Sequence, residues 1–551
     1  MGAPPRRALL LVGALVLGAL VLRLPTAGEQ SFWLDEVYTG RIVDGSLGHA
    51  WSTIQRTENT PPLFYLLDWV VGRLFGTGEL ALRSLSAVAG ALAVWPVVRL
   101  TRVVGGGPDG AEGRAPRQDG PAAPRDGASA DRASTGGTGP RGRVARAAGA
   151  VEGALGRGTG PAGTVVPLGI ALAAGALLAV NPLAQWFSQE ARSYGVFVLL
   201  AATAWVFLLQ ACDRPSGRRL WLWAVVAVAV AWTHYFGGIL FLVGWGAIGL
   251  VVLVRAGGGP GRLRALLPLL APAALSGIAV AALAPIAKNQ QSTDMYQAIS
   301  NVKGLGARLL ETPKQFAVGY NAPAEYVLGA ILVVALTVVV VAGAWPRDGR
   351  PTRGTALLGL CVVVWILPIA GLAVGFDVVL TRNYVLLIPP LAVLAALGAW
   401  RLGRRAVVGL AVVGAVQLAT IVVVALTPVY QRDDWRGALR AALGGQPGPE
   451  VLMIANYQDP AATYYAPTLR QIPAETPVVA QTIAIVDRLS NGDGLSRIPT
   501  PQGPAGFRLV RAEQGSQWRV FVWRAAAPTP VLPQGVQWIA PQTPRSTIFR
   551  P

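Results

Sequence analysis

Apolar residues run along this chain in long unbroken blocks, not in the alternation of a strand or the one-sided stripe of a surface helix. A membrane-crossing helix needs about 20 predominantly apolar residues. On that measure eleven blocks qualify: roughly residues 8–24, 80–103, 164–184, 194–212, 220–235, 236–254, 265–287, 325–345, 355–376, 384–400 and 405–428. The fifth and sixth form one stretch from Leu220 to Val254, too long for a single crossing, and divide at Thr233-His234-Tyr235-Phe236-Gly237-Gly238. Pro61 to Gly76 is also apolar, but it is short and holds Asp68 and Arg73. Charges at mid-bilayer are costly, so this segment reads as a helix lying on the outer membrane surface. Residues 105–163 are Gly, Pro, Ala and Arg without periodicity, the composition of a disordered cytoplasmic loop. From Tyr430 the chain turns soluble in character. "DDWRGALRAAL" predicts a helix, and "EVLMIAN", "TPVVAQTIAIV" and "RVFVW" predict strands. The expected fold is an α-helical polytopic membrane protein with about eleven spans over residues 1–429. A small extracytoplasmic α/β domain follows at 430–551.

Charge fixes the expected orientation. Of 551 residues only 14% are charged while 53% are hydrophobic, which excludes an ordinary soluble enzyme. The net charge is +19, carried almost entirely by arginine; lysine occurs only at Lys288, Lys303 and Lys314. With the N-terminus in the cytoplasm, the short inside loops hold Arg214/Arg218/Arg219, Arg255/Arg262/Arg264, Arg347/Arg350/Arg353 and Arg401/Arg404/Arg405. That is the positive-inside pattern, and it accounts for the basic balance without a nucleic-acid partner. The outer side of the cytoplasmic membrane then receives residues 25–79, the loop from Lys288 to Ala324, and everything after Thr427. Cys212 and Cys361 lie in or beside apolar runs and indicate no disulfide framework. The first run follows Arg6 and Arg7 like a signal peptide, but with ten spans behind it a retained anchor is expected. The richness in Ala, Gly, Arg and Pro suits a GC-rich bacterial genome.

Charged groups that work on polar substrates in a membrane protein stand at the water boundary or in a cavity. Asp35 and Glu36 in "FWLDEVYTG", Asp44, and Glu58 in "TENTPP" fall in the first outer loop. Adjacent carboxylates among aromatic residues just above the bilayer are placed to be partly desolvated, which suits a general base; the alternative is a solvated loop carboxylate, the reading kept for Asp44. In "SQEARSYG", Glu190, Arg192 and Tyr194 stand at the outer entrance of the fourth span, for contact with a phosphate or a sugar hydroxyl or for interfacial anchoring. His234 sits at an outer helix boundary. With His49 and the carboxylates it leaves room for a divalent cation, though no metal-ligand spacing is visible. Arg382 in "LTRNYVLLIPP" opposes the prevailing charge bias, either clamping a lipid phosphate or snorkelling to the interface. Lys288 holds a comparable place after the seventh span.

The order of "FWLDE", "PPLFYLL", "LFGTGELALRSLSAVAG", "NPLAQWFSQEARSY", "THYF" and "TRNYVLLIPPLAVLAALG" resembles the bacterial PMT-type glycosyltransferases. That family comprises protein O-mannosyltransferases and lipid A aminoarabinose transferases of the GT-C membrane fold. The resemblance covers residues 8 to about 440. It implies transfer of a sugar from a polyprenyl-phosphate donor in the bilayer to a protein, lipid or cell-wall glycan acceptor on the outer face. It also implies Asp35 as base with Glu36 beside it, and Glu58, the Glu before the Pro-rich step, as a donor-binding group. Arg192 and Arg382 would hold the donor phosphate, with Glu190, Tyr194, His234, Lys288 and Tyr384 as further donor-binding groups. The pattern departs in two places: Thr60 stands where members often carry His before the Pro-Pro pair, and Arg382-Asn383-Tyr384 where Arg-Tyr is common. Two other classes compete, a lipid-sugar flippase and a non-catalytic glycan-binding scaffold. The spans are nearly free of charge, against what an ion-coupled carrier needs, and a scaffold predicts that Asp35 and Glu36 are dispensable.

Overall fold

The computed structural model describes residues 6–106, 166–257, 262–291, 304–345, 351–375, 377–444, 448–455, 459–473, 477–488, 503–531 and 546–551. Most of the expected 105–163 loop lies outside them.

Among the described residues, eight helices are long and apolar enough to cross a membrane: Glu79–Gly105, Tyr194–Asp213, Phe236–Arg255, Arg262–Gln290, Glu325–Ala344, Arg353–Gly371, Thr381–Leu402 and Arg404–Leu426. A ninth is formed if Leu168–Ala179 and Pro182–Ser188, which meet at 57°, count as one span. The chain is thus a multi-pass membrane protein, but the expected count of eleven is not met. Two of the expected blocks are marginal for physical reasons. Arg6–Arg23 has 18 residues, with arginine at both ends and Arg23 buried. Gly217–Thr233 has 17 residues, about 26 Å at 1.5 Å per residue against a hydrocarbon core of about 30 Å. The third block also reads differently, because it breaks at Asn181-Pro182. The Asn181 side chain accepts from the Ala184 amide at 2.9 Å and Pro182 opens the next helix, an N-cap and first-turn proline that start a new helix at a new angle.

The helices pack closely at small residues. A Cβ on Gly398 would fall 1.7 Å from the Val339 carbonyl oxygen, and one on Gly343 would fall 2.0 Å from that of Leu394. Only glycine lets Glu325–Ala344 and Ile388–Leu402 meet backbone to backbone. Pro61 to Gly76 forms the 13-residue helix Leu63–Phe75, too short to span, between Leu47–Thr57 and Glu79–Leu92. The C-terminal segment contains helices Trp435–Leu443 and Asp459–Tyr465 and a six-stranded sheet. Its strands are β1 (Val451–Ala455), β2 (Arg470–Ile472), β3 (Val478–Arg488), β4 (Phe507–Gln514), β5 (Trp518–Val531) and β6 (Ser546–Arg550). They lie in the order β2-β6-β1-β3-β5-β4, with β1 and β3 parallel and the other neighbours antiparallel. One hydrophobic cluster joins this segment to the first long loop: Trp435, Ala438, Leu439, Leu452 and Phe549 pack in the same core as Phe32, Val37, Ile42 and Phe64.

Candidate functional site

The loop after the first helix folds back onto the bundle through a buried ion pair. Arg83, inside Glu79–Leu92, donates from Nε and Nη2 to the two oxygens of Glu36 at 2.7 and 2.6 Å, and both side chains are essentially inaccessible. Arg83 also donates to the carbonyls of Ala27, Gln30 and Ser31 at 2.6–2.9 Å. Glu36 accepts in addition from the amides of Ala191 at 2.7 Å and Trp33 at 3.3 Å. Burial works to raise the pKa of Glu36, but the Arg83 pair and the Ala191 amide outweigh it and hold the carboxyl below its ordinary value. Both oxygens of Glu36 are therefore committed to holding three chain segments together.

Its neighbour points elsewhere. Asp35 Oδ2 accepts from Arg382 Nη1 at 3.2 Å, with about a fifth of the Asp35 side chain and a third of the Arg382 side chain exposed. Arg192 Nη1 lies 3.3 Å from the Asp35 carbonyl oxygen and donates to Glu58 Oε2 at 2.8 Å. The same Glu58 oxygen accepts from the Tyr65 hydroxyl, which is 2.7 Å from Thr60 Oγ1. The Arg192 guanidinium carbon stands 5.6 Å from the centre of the Tyr65 ring. Burial pushes the Glu58 carboxyl above its ordinary value against the pull of Arg192 and Tyr65, and its Oε1 is buried without a partner among the described residues. Close approach sets the turn: a Cβ on Gly195 would fall 2.1 Å from the Ser86 carbonyl oxygen, and Ser86 Oγ donates to Arg192 O at 2.6 Å. Asp35, Glu58, Arg192 and Arg382 are thus brought together, with Tyr65 and Thr60 behind them.

The other expected residues are placed differently. Glu190 Oε1 accepts from Arg432 Nη2 at 3.1 Å, and Arg432 lies 4.2 Å over the Trp186 ring. Burial pushes the Glu190 carboxyl up to about 7 against that pairing. Glu190 therefore faces the C-terminal segment. His234 is buried, stacked on Phe197 at 4.7 Å, and its Nδ1 accepts from the Phe236 amide at 3.3 Å. Burial, reinforced by Arg382 and Arg192, pushes it down to about 3, so it is neutral with its proton on Nε2. Tyr194 is buried against Phe187 and His234. Tyr384 is buried in the helical core, stacked on Trp365 at 4.6 Å, with its hydroxyl 3.4 Å from the Trp365 carbonyl oxygen. Lys288 is exposed on Ala284–Gln291; from that helix Gln290 reaches the loop, donating to Ile54 O and Thr60 O. Among the described residues no group of three or more His, Cys, Asp or Glu side chains could hold a metal ion. His234 spends its free ring nitrogen on a backbone amide, so the donor set does not fit a divalent cation.

Sequence reasoning missed Arg83, Tyr65 and Arg432. Arg83 carried a signal, being a charge within the second apolar block and well away from the arginines at its far end, Arg99 and Arg102, and a buried charge needs a partner. Nothing local marks Tyr65 or Arg432, whose partners are set by tertiary packing.

No protein-family model and no curated protein matches the chain. Among solved structures it is similar to the crystal structure of ArnT from Cupriavidus metallidurans bound to undecaprenyl phosphate, with 13% identity over 93% of this chain and 97% of that one and a TM-score of 0.49. It is similar to the archaeal oligosaccharyltransferase AglB from Archaeoglobus fulgidus in complex with an inhibitory peptide and a dolichol-phosphate, with 14% identity over 80% and 58% of the two chains and a TM-score of 0.40. A protein O-mannosyltransferase complex of S. cerevisiae bound to the sugar donor matches with 15% identity over 52% and 35%, at a TM-score of 0.32.

Proposed function

We propose that this chain is a membrane glycosyltransferase of the GT-C type. It moves a sugar from a polyprenyl-phosphate donor to a hydroxyl-bearing acceptor at the outer face of the cytoplasmic membrane. The observation that carries the reading is the accessible Asp35 carboxylate, 3.2 Å from the guanidinium of Arg382 and flanked by that of Arg192. A base thus stands beside two fixed cations. An anionic donor phosphate competes with Asp35 for Arg382, so binding of the donor frees the carboxylate for catalysis. Asp35 then takes the proton of the acceptor hydroxyl as its oxygen bonds to the anomeric carbon. The bond from that carbon to the phosphate oxygen breaks, and the polyprenyl phosphate leaves with the electron pair, held by Arg382 and Arg192. Glu58 and Tyr65 orient Arg192. Glu36 locks the helix that presents Asp35. The order of sequence motifs supports the same reading, as do the arginine-rich loops, which put the site on the side opposite the cytoplasm.

The test uses purified protein in nanodiscs with radiolabelled polyprenyl-phosphate sugars. Asp35→Asn should cut sugar release by about 10²–10⁴, the usual worth of a positioned base, while donor affinity stays within about threefold. Equal loss of binding and turnover would make Asp35 a structural residue. Release that does not depend on Asp35 would remove it as the base.

A further inference from the structure

The helices Leu47–Thr57 and Ala284–Gln291 border a groove of about 420 Å³ lined by Trp51, Ser52, Gln55, Arg56 and Asn289. That volume falls within the ~300–1,000 Å³ of small-ligand sites. Its walls are fixed to each other. Gln290 Nε2 donates to Ile54 O at 3.0 Å and Thr60 O at 3.1 Å, and Asn289 Nδ2 lies 3.5 Å from Gln55 Oε1. Arg56 Nη2 lies 3.4 Å from Ser52 Oγ.

The chemistry of this lining is specific. Trp51 leaves 38% of its surface exposed, an apolar plate at the edge of a polar groove. Around it stand two carboxamides, a hydroxyl and a guanidinium, groups that offer both donors and acceptors. Among the described residues no carboxylate lines the groove. A flat apolar face flanked by amides matches a sugar ring, which has an apolar C–H face and a rim of hydroxyls.

The groove lies on the helix that ends at the site. Leu47–Thr57 runs directly into Glu58, the partner of Arg192. Gln55 is about one helical turn from Glu58, and Trp51 is about 10 Å away along the helix at 1.5 Å per residue.

From this we infer that the groove is the acceptor subsite. It binds a hydroxyl-rich glycan whose penultimate rings stack on Trp51 and hydrogen-bond Gln55 and Asn289, so that a terminal hydroxyl reaches Asp35. The inference rests on the glycosyltransferase reading and names its acceptor class.

The test labels the full chain in nanodiscs with 5-fluorotryptophan and identifies the Trp51 signal by its loss in Trp51→Phe. The probe is the oligosaccharide mixture released by mild acid from the cell envelope of the source organism. A saturable shift of the Trp51 signal is expected, with apparent affinity at least tenfold weaker in Gln55→Ala and Asn289→Ala. Unchanged thermal unfolding of each variant checks that it is folded. No shift overturns the inference. So does a Trp51 signal that ignores the glycan but broadens with headgroup spin-labelled lipid, since Trp51 is then a membrane anchor. Sugar release from the polyprenyl donor by the wild type is scored separately. Release without a Trp51 response removes the groove alone; a Trp51 response without release removes the transferase reading and leaves glycan binding.

Discussion

Arg83→Met tests whether the buried pair holds the site in place. The substitution removes five hydrogen bonds at once: two to Glu36 and one each to the carbonyls of Ala27, Gln30 and Ser31. Glu36 is left buried with only the Ala191 and Trp33 amides. Removing one partner of a buried ion pair typically costs ~3–5 kcal/mol. Protonation sets a ceiling on the charge part, because neutralising an ordinary glutamate at pH 7 costs roughly 3.5 kcal/mol at about 1.4 kcal/mol per pH unit. The sign follows from the two environments. In the wild type Glu36 is held below its ordinary value, so its stabilisation is present above that value and is lost as pH falls through the folded one. In the variant burial is opposed only by the Ala191 amide and the Arg432 charge, the Arg83 pair being gone, and the folded value rises. Stability is then full below the ordinary value and is lost as pH rises. The gap between the two proteins should therefore widen by up to about 1.4 kcal/mol per unit between roughly pH 4.5 and 7. A thiol-reactive dye reads unfolding directly, since Cys212 and Cys361 are free and buried. At pH 7 the variant should melt roughly 5–10 °C lower, and at pH 5 only a few degrees lower. An equal gap at both pH values would refute the buried-charge argument and leave only lost packing.

Tyr65→Phe removes the hydroxyl that shares a Glu58 oxygen with Arg192. A hydrogen bond to a charged group is worth ~1.5–3 kcal/mol, so donor KM should rise about tenfold or more with kcat less affected; unchanged donor kinetics would remove Tyr65 from the clamp. Arg382→Met should weaken donor binding more than it slows the bound complex, which equilibrium binding of a labelled polyprenyl-phosphate sugar separates from single-turnover rate. Glu190 sits at about 7, above its ordinary value, so the wild type should lose stability relative to Glu190→Gln as pH rises from about 4.5 through 7. Parallel melting curves for the two proteins across that range would contradict it.

The sequence made legible what depends on local pattern. Apolar block length located the helices, and the charges at block ends marked Asp35, Glu58, Arg192 and Arg382, which the fold brings together. What it hid depends on distance along the chain. Glu190 and Arg192 differ by two positions, yet one pairs with Arg432 of the C-terminal segment and the other with Glu58 of the first loop, a division that follows from the turn after Ser188 and from no spacing rule. Asp35 and Glu36 look equivalent on paper. One residue, about 100° around the helix, separates a carboxylate about a fifth exposed from one with both oxygens saturated. The break at Asn181-Pro182 was readable in principle, since an N-capping Asn before a Pro announces a helix start, but the surrounding apolar run masked it. The unexpected strands were weakly marked: β2 has three residues and β4 is largely exposed, so neither shows the alternation of a half-buried strand.

The division at Tyr430 carries the last consequence. Composition places a separate domain there, which would leave residues 1–429 complete without it. The contacts argue for a joint unit. Arg41 donates to Pro460 O at 3.0 Å and Thr463 Oγ1 at 2.6 Å, and the Phe32 amide donates to the Tyr465 hydroxyl at 2.5 Å. That hydroxyl donates in turn to Glu79 at 2.8 Å, while Asp434 accepts from Trp518 Nε1 at 3.1 Å and from Ser31 Oγ at 3.5 Å. Four of these six bonds fall on residues 31–41, the stretch that presents Asp35. A chain ending at Val429 should therefore keep its membrane helices but loosen that stretch. Arg41 then becomes a new trypsin site in nanodisc-embedded protein, and sugar release falls as cleavage accelerates. The full chain should resist cutting at Arg41 under the same conditions. If the truncated chain resists equally and turns over at the same rate, the first loop orders itself without the C-terminal segment, and Asp35 is positioned by the Glu36–Arg83 pair alone.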